Sequence, residues 1–319
     1  MRRVLGLVPV LLAAATIVWI FTFLLPGDPA RLIAGGQSAD PDVLDSIRQE
    51  WGLDRPAPVQ YAVFLGKLLR FDLGTSYVQK RSVAAIIAET FPATAILAVA
   101  AVLLASIGGL VLGSISALNR GGPADTAILV LALLGTSMPV FWLGFLLMLL
   151  FAARLAWLPV LGYGMDGGVI PFTTIRLPEW DHLVLPALTL SLVSMGAVAR
   201  ITRASLAETG AADFLRTARA KGASAARVFA RHALQNALIP VVTIVGLDLA
   251  SLLGGAVATE YVFAWPGLGR TIVRAIGLRD LPVVEGCVLF LTTLFVLASL
   301  CVDLLYLVLD PRVHYSRAA

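Results

Sequence analysis

Apolar residues along this chain come in long runs rather than in strict alternation, and polar stretches separate the runs. A helix needs about 20 apolar residues to cross about 30 Å of hydrocarbon. Six runs meet or approach that length: 4–25, 93–118, 126–152, 183–199, 238–257 and 287–309, of which 183–199 is the shortest. The pattern predicts an all-α integral membrane protein with about six transmembrane helices. Its parts are a first span (1–25), a long loop (26–92), a five-helix core (93–310) and a short tail (311–319). Arg2 and Arg3 precede the first run, as in a signal peptide. That run outlasts the roughly 7–15 residues of a signal-peptide core, and its small residues Ala13, Ala14 and Ala15 lie mid-run, so it reads as an uncleaved span.

Orientation follows from lysine and arginine in the short connections. With the N-terminus inside, the inner segments carry Arg2, Arg3, Arg120, Arg312 and Arg317, and the fourth-to-fifth connection adds Arg200, Arg203, Arg216, Arg219, Lys221, Arg227 and Arg231. The outer connections balance Arg154, Arg176, Arg270, Arg274 and Arg279 with Asp166, Glu179, Asp181, Glu260, Asp280 and Glu285. Both termini are therefore expected on the cytoplasmic side. The loop 26–92 is too long for this charge count and too long to be a simple connector. Within it Asp40 can cap a helix over 41–51, where Val43, Leu44, Ile47 and Trp51 recur at helical spacing. Residues 59–69 repeat the pattern, and Asp72-Leu-Gly-Thr-Ser76 reads as a turn. Such amphipathic pieces suit either a lid over a pore mouth, a docking surface, or a position on the membrane surface.

Composition agrees with a lipid-facing exterior. Only 14% of residues are charged, against about a quarter in soluble domains. The net charge of +4 is spread between apolar runs rather than on one polar face, which argues against a nucleic-acid partner. Cys287 and Cys301 lie fourteen positions apart in one run. That is about 21 Å along a helix, beyond the roughly 7 Å that a disulfide permits. The chain has no GxxxxGK[ST] phosphate loop and no HExxH, CxxC or GxSxG. His182, His232 and His314 fall in separate connections without metal-ligand spacing, so neither a metal nor a catalytic residue is assigned. Asp248 and Asp303 are the acids within the runs. An intramembrane charge invites a pathway or ion-coupling role, to be weighed against an interhelical hydrogen bond. Gly254 and Gly255, like Gly108, Gly109 and Gly113, suit close helix packing or a glycine-lined path. Pro139 removes a backbone hydrogen bond inside the third run and predicts a kink.

The strongest local signal lies in the connection 203–236. Residues 213–221 form a short helix with Asp213 at its start and Gly222 as a C-terminal cap. Phe214, Leu215 and Ala218 make an apolar edge, with Arg216, Arg219 and Lys221 on a basic flank. A second helix then runs from about Ser224 into the fifth span, with Pro240 at its entry. A surface helix meeting anionic lipid explains the arginines. A tight helix pair projecting from a membrane protein also suits a groove in a soluble partner.

At this point the residues resemble a known family. Phe214-Leu-Arg-Thr-Ala-Arg-Ala-Lys-Gly222 with Asn236-Ala-Leu-Ile-Pro240 is similar to the coupling loop of ABC-importer permeases, specifically the dipeptide/oligopeptide/nickel permease family. Leu25-Pro-Gly-Asp-Pro29, Gly52-Leu-Asp-Arg-Pro56, Asp72-Leu-Gly-Thr-Ser76, Glu260-Tyr-Val-Phe-Ala-Trp-Pro-Gly-Leu-Gly269, Arg279-Asp-Leu-Pro-Val283, Val302-Asp-Leu-Leu-Tyr306 and Leu309-Asp-Pro-Arg312 follow in the family's order. Two positions depart from it: the leading glutamate of the loop motif is absent, and Phe214 stands where tyrosine is usual. The resemblance implies a type I ABC-importer permease fold in a bacterial cytoplasmic membrane. It implies a second, similar permease, two ATPase subunits that hold ATP and Mg2+, and an extracytoplasmic solute-binding protein. It gives ATPase contact to Asp213, Phe214, Arg216, Thr217, Ala218, Arg219, Ala220, Lys221 and Gly222. The implied solute is a dipeptide or oligopeptide, with nickel complexes and glutathione-like peptides as alternatives. The rival from another class is a self-sufficient, ion-coupled carrier that depends on Asp248.

Overall fold

The structure, a computed structural model, describes residues 2–24, 29–34, 40–164, 168–169, 175–210, 212–254 and 256–309. Among these, fourteen α-helices follow in the order α1 (Arg2–Leu24), α2 (Pro29–Ile33), α3 (Pro41–Trp51), α4 (Ala57–Leu69), α5 (Val83–Leu118), α6 (Pro123–Ser137), α7 (Val140–Leu147), α8 (Trp180–Gly210), α9 (Asp213–Ala220), α10 (Ala225–Arg227), α11 (Leu234–Leu253), α12 (Val257–Val262), α13 (Leu268–Leu278) and α14 (Leu281–Leu309). Two π-helical segments, Met148–Arg154 after α7 and Val228–Ala233 before α11, complete the helical course. Five helical stretches are long and apolar enough to cross a bilayer, and α6 with α7 and its π extension makes a sixth, bent by 109°.

The helices depart from the apolar runs in four places. The loop expected to reach residue 92 ends at 82, because α5 carries Pro92 within it. Second, α8 continues eleven residues past the end of its apolar run, to Gly210, so Arg203 belongs to a helix and not to a loop. The fifth stretch ends at Leu253, and Val257 begins the separate α12. Lastly, Pro139 does more than kink the third span: it separates two helices. Met138 before it is extended at φ −82°, ψ 137°, as steric conflict with a following proline demands. Pro139 then caps α7, its carbonyl accepting from Leu143 N at 3.0 Å.

The chain divides into two compact units, Met1–Thr94 with Pro266–Leu294 and Ala95–Trp265 with Phe295–Ala319. In the first unit, Val83, Ile86 and Ile87 pack with Leu268, Ile272 and Ala275 and with Val283, Cys287 and Leu291 to form a buried core. The predicted helix over 41–51 is present as α3. Asp40 Oδ1 accepts from Asp42 N at 3.1 Å, and Gly52 closes the helix at φ 66°. Tyr61 on α4 shares a 2.6 Å hydrogen bond with Thr16 of α1 and stands 5.1 Å from the Trp19 ring, so α4 rests on the first span. The Asp72 turn forms as expected, its Oδ1 accepting from Gly74 N at 2.9 Å. Beyond it the chain is tied to Asp280, which is 2% exposed: its carboxylate accepts from Ser76 Oγ, from Tyr77 N at 2.9 Å and from Val78 N at 3.4 Å. Burial, and then the Glu285 and Asp280 carboxylates, push the Tyr77 phenol well above its ordinary range, so it stays protonated.

In the second unit glycines bring α5, α6 and α8 into close approach. A Cβ at Gly109 would meet Val198 at 2.6 Å, one at Gly113 would meet Ala199 O at 2.5 Å, and one at Gly196 would meet Ala132 O at 2.6 Å. Gly108, Gly109 and Gly113 are thus packing positions. Phe263 and Trp265 are buried, with Phe263 O accepting from Gly162 N at 3.0 Å and Tyr163 edge-on to Trp265 at 4.6 Å.

Candidate functional site

The polar hairpin after α8 is built around one side chain. Thr209 O accepts from Ala212 N and Ala212 O from Leu215 N, turning the chain at the end of α8 into α9. Asp213 sits in the first turn of α9, where the helix dipole favours an acid. Leu215 is 2% exposed and packs with Leu206 of α8, Val228 and Ala233 of the π segment and Ala237 of α11, with Ala117 of α5, Ala218 and Ala223 around them. Burying one leucine there contributes about 2 kcal/mol. At the far end Gly222 is at φ 82°, a left-handed conformation open to glycine at little cost. Ala218 O accepts from Ala223 N at 3.2 Å, and Ser224 caps the next helix, its Oγ accepting from Arg227 N at 3.4 Å.

The expected apolar edge is split. Leu215 and Ala218 face the core, whereas Phe214 is 45% exposed. Arg216, Thr217, Ala220 and Lys221 are exposed as well, and Arg216 stands 3.8 Å from Asp213 in an open ion pair. Arg219 lies on α9, and its side chain is outside what the structure describes. Among its described residues the connection 203–236 is therefore mostly helix, with breaks at 212 and 221–224.

The intramembrane candidates do not gather into one site. Asp248, on α11, hydrogen bonds with Ser194 of α8, while its Oδ2 is buried without a hydrogen-bond partner among the described residues. Gly254 follows the end of α11, its Cβ position 3.6 Å from Phe295, and Gly255 lies outside the described residues. Pro139 marks the α6–α7 break. Asp303 on α14 is exposed. His182 does have acidic company: Glu179, Asp181 and His182 offer ligand atoms within 4.8 Å of one another, and Glu179 contacts the imidazole at 3.7 Å.

One residue that sequence reasoning passed over organises the base of the hairpin. Asp125, in the first turn of α6, is 3% exposed. Its carboxylate takes a bidentate grip from Arg203 of α8, Nε at 2.6 Å and Nη2 at 2.7 Å. It also accepts from Ser116 Oγ near the end of α5 and from Gly121 N, at 2.9 Å, in the turn between. Arg203 and Asp125 are 78 positions apart, and no local pattern links them.

Residues 109–315 match the family of binding-protein-dependent transport system inner membrane components, and residues 1–98 match its N-terminal part. The chain belongs to this family. It is 44% identical over 315 residues to the glutathione transport system permease protein GsiC of Pectobacterium atrosepticum, covering 99% of this chain and 98% of that one. It is 44% identical over 316 residues, with the same coverage, to a peptide transport system permease protein of Brucella suis. In fold it is similar to a chain of the inward-facing MetNI methionine ABC transporter, at TM-score 0.52 and 16% identity, covering 71% of this chain and 97% of that one. As a family member it is a multi-pass inner-membrane permease of an ABC importer, a component of a larger transport system rather than a self-sufficient carrier.

Proposed function

We propose that this permease pairs with a second, similar permease, that two ATPase subunits grip it from the cytosol, and that a solute-binding protein docks on the opposite side. Both termini face the ATPase side, and ATP and Mg2+ are held by the partner subunits. The observation that carries the reading is the form of α9: a helix fixed from within by Leu215 that turns Phe214, Arg216, Thr217, Ala220 and Lys221 outward. An aromatic side chain on a rigid base, with cations beside it, is what a docking contact needs. Asp213, Ala218, Arg219 and Gly222 complete that segment. When the ATPases close on ATP, α9 is displaced and α8 and α11 carry the motion into the core. The contact must differ between the two states, because otherwise hydrolysis cannot bias the pathway.

The solute is a short peptide. Relatives named for glutathione and for peptide transport support this. So does a cavity of about 860 Å3 in the first unit, whose lining includes Arg48, Arg55, Lys67 and Glu285. A zwitterionic peptide presents both the carboxylate and the ammonium that such a lining complements.

The test is purification of the chain from its native membrane. A second permease and two ATPase subunits are expected to accompany it, with hydrolysis rising when a loaded binding protein is added. Gly222→Pro, or charge reversal at Arg219 and Lys221, is expected to leave hydrolysis running while uptake falls. Uptake by the isolated chain, collapsed by an ionophore and dependent on Asp248, would overturn the proposal.

A further inference from the structure

Coupling through α9 requires that α8 deliver the hairpin at a fixed angle, and the structure holds a device suited to that. Arg203 lies seven residues before the end of α8 at Gly210, about 10 Å from it at ~1.5 Å per residue. There the guanidinium meets a single buried carboxylate that also binds the end of α5, the following turn and, through Asp125 itself, the first turn of α6. One turn further along the same seam, Gly113 of α5 lies against Ala199 O and Thr202, so the backbones of α5 and α8 approach closely beside the ion pair.

Stability is a poor explanation for this arrangement. The Arg203 side chain keeps 24% of its surface exposed, and an ion pair so placed seldom improves much on apolar residues of the same volume, because desolvation and solvent screening offset the attraction. What the bidentate fork adds is direction: two parallel N–H donors fix the guanidinium plane against the carboxylate. Four donors from three elements on one carboxylate add a fixed orientation to the close packing of α5 against α8.

We infer that Asp125 and Arg203 are positioning residues for energy coupling: the pair makes α5, α6 and α8 move as one body when α9 is displaced. The inference rests on the proposed role of α9. Without the pair, displacement of the hairpin is absorbed by bending at the end of α8, and hydrolysis proceeds without uptake.

The experiment uses the assembled transporter in proteoliposomes, with binding protein and ATP saturating. It reads solute taken up per ATP hydrolysed, the probe being radiolabelled dialanine or glutathione, whichever the unmodified assembly accumulates. Asp125→Asn is expected to lower that ratio about tenfold, within the span of ordinary coupling energies. Arg203→Lys, which keeps the charge but not the fork, should lower it about threefold. The double variant should be no worse than Asp125→Asn alone, as groups acting as one unit behave. Reduced stability would lower the amount of transporter but not this ratio. A second readout needs no solute. Spin labels at Glu208, an exposed position near the end of α8, and at Leu131, an exposed position on α6, should keep one separation with and without ATP and vanadate in the otherwise unmodified protein. In Asp125→Asn that separation should change on trapping. An unchanged ratio and separation in Arg203→Lys and Asp125→Asn, with ATPase subunits still bound, would overturn the inference and leave the role of α9 standing. Failure of ATPase subunits to bind the unmodified chain would instead overturn the underlying reading.

Discussion

Asp280 in the first unit and Asp125 in the second are both buried carboxylates that tie distant stretches of chain together, and they do it with different partners. Asp280 accepts from two backbone N–H groups and a serine hydroxyl, all within 76–78. It follows Arg279, whose left-handed φ of 57° ends α13, and its own N–H reaches Ala275 O at 2.8 Å. Neutral donors on a loop make a static staple, because nothing in the set can be moved without unmaking the loop. Asp125 is held chiefly by a long, charged side chain on another helix. A guanidinium on a flexible stem keeps its direction only while its partner holds it, which suits a joint that must carry motion. The difference teaches that burial and hydrogen bonding alone do not separate a structural acid from a functional one. What separates the two here is that a charged side chain of another helix reaches Asp125, whereas among the described residues only neutral donors of one loop reach Asp280.

Asp280→Ala should show the largest effect on stability. It leaves two N–H groups and a hydroxyl without their acceptor, at a cost of about 3 kcal/mol. Thermal unfolding of the purified assembly should shift down, with uptake per ATP in the surviving transporter unchanged. A fall in that ratio would erase the contrast with Asp125. Gly113→Val is next. Its added carbons meet the Ala199 carbonyl and Thr202, and overpacking of this kind costs about 2 kcal/mol. Because it wedges α5 from α8 beside the ion pair, it should lower both thermal stability and the coupling ratio. Gly222→Ala is smaller, about 1 kcal/mol, since its surroundings are open and only the left-handed backbone resists a side chain. Exchange of amide protons in α9 should quicken there with little change elsewhere. Arg216→Ala should leave thermal stability unchanged, because its ion pair with Asp213 stands in open solvent, with side-chain exposures of 82% and 96%. Loss of ATPase binding in that variant would then report contact and not folding.

Local signals were legible in the sequence where the cause is local. Asp40 opens α3 over the expected residues 41–51, and Asp213 and Gly222 bracket the hairpin helix as capping chemistry dictates. Hydropathy misled where polarity and helicity part company. Thr202, Arg203 and Glu208 interrupt the apolar run without interrupting α8, since alanine, leucine, arginine and glutamate all favour helix. Pro92 looked like a boundary and lies inside α5, while Pro139 looked like a kink and is a break. The pairings that organise the two units could not be read at all. Ser76 and Asp280 are 204 positions apart, Arg203 and Asp125 are 78 apart, and neither pair leaves a periodic trace. The exposure of Phe214 was equally hidden, because a short helix whose i and i+1 positions are both apolar does not announce which one turns inward.

The most direct measurement is site-directed cross-linking from the hairpin. In a variant with Cys287 and Cys301 replaced, Phe214→Cys should join to an ATPase subunit with a short bifunctional reagent, and the yield should change when ATP and vanadate trap the closed state. Cross-linking only to lipid, or labelling of residue 214 by an impermeant thiol reagent applied from the extracytoplasmic side, would contradict the account.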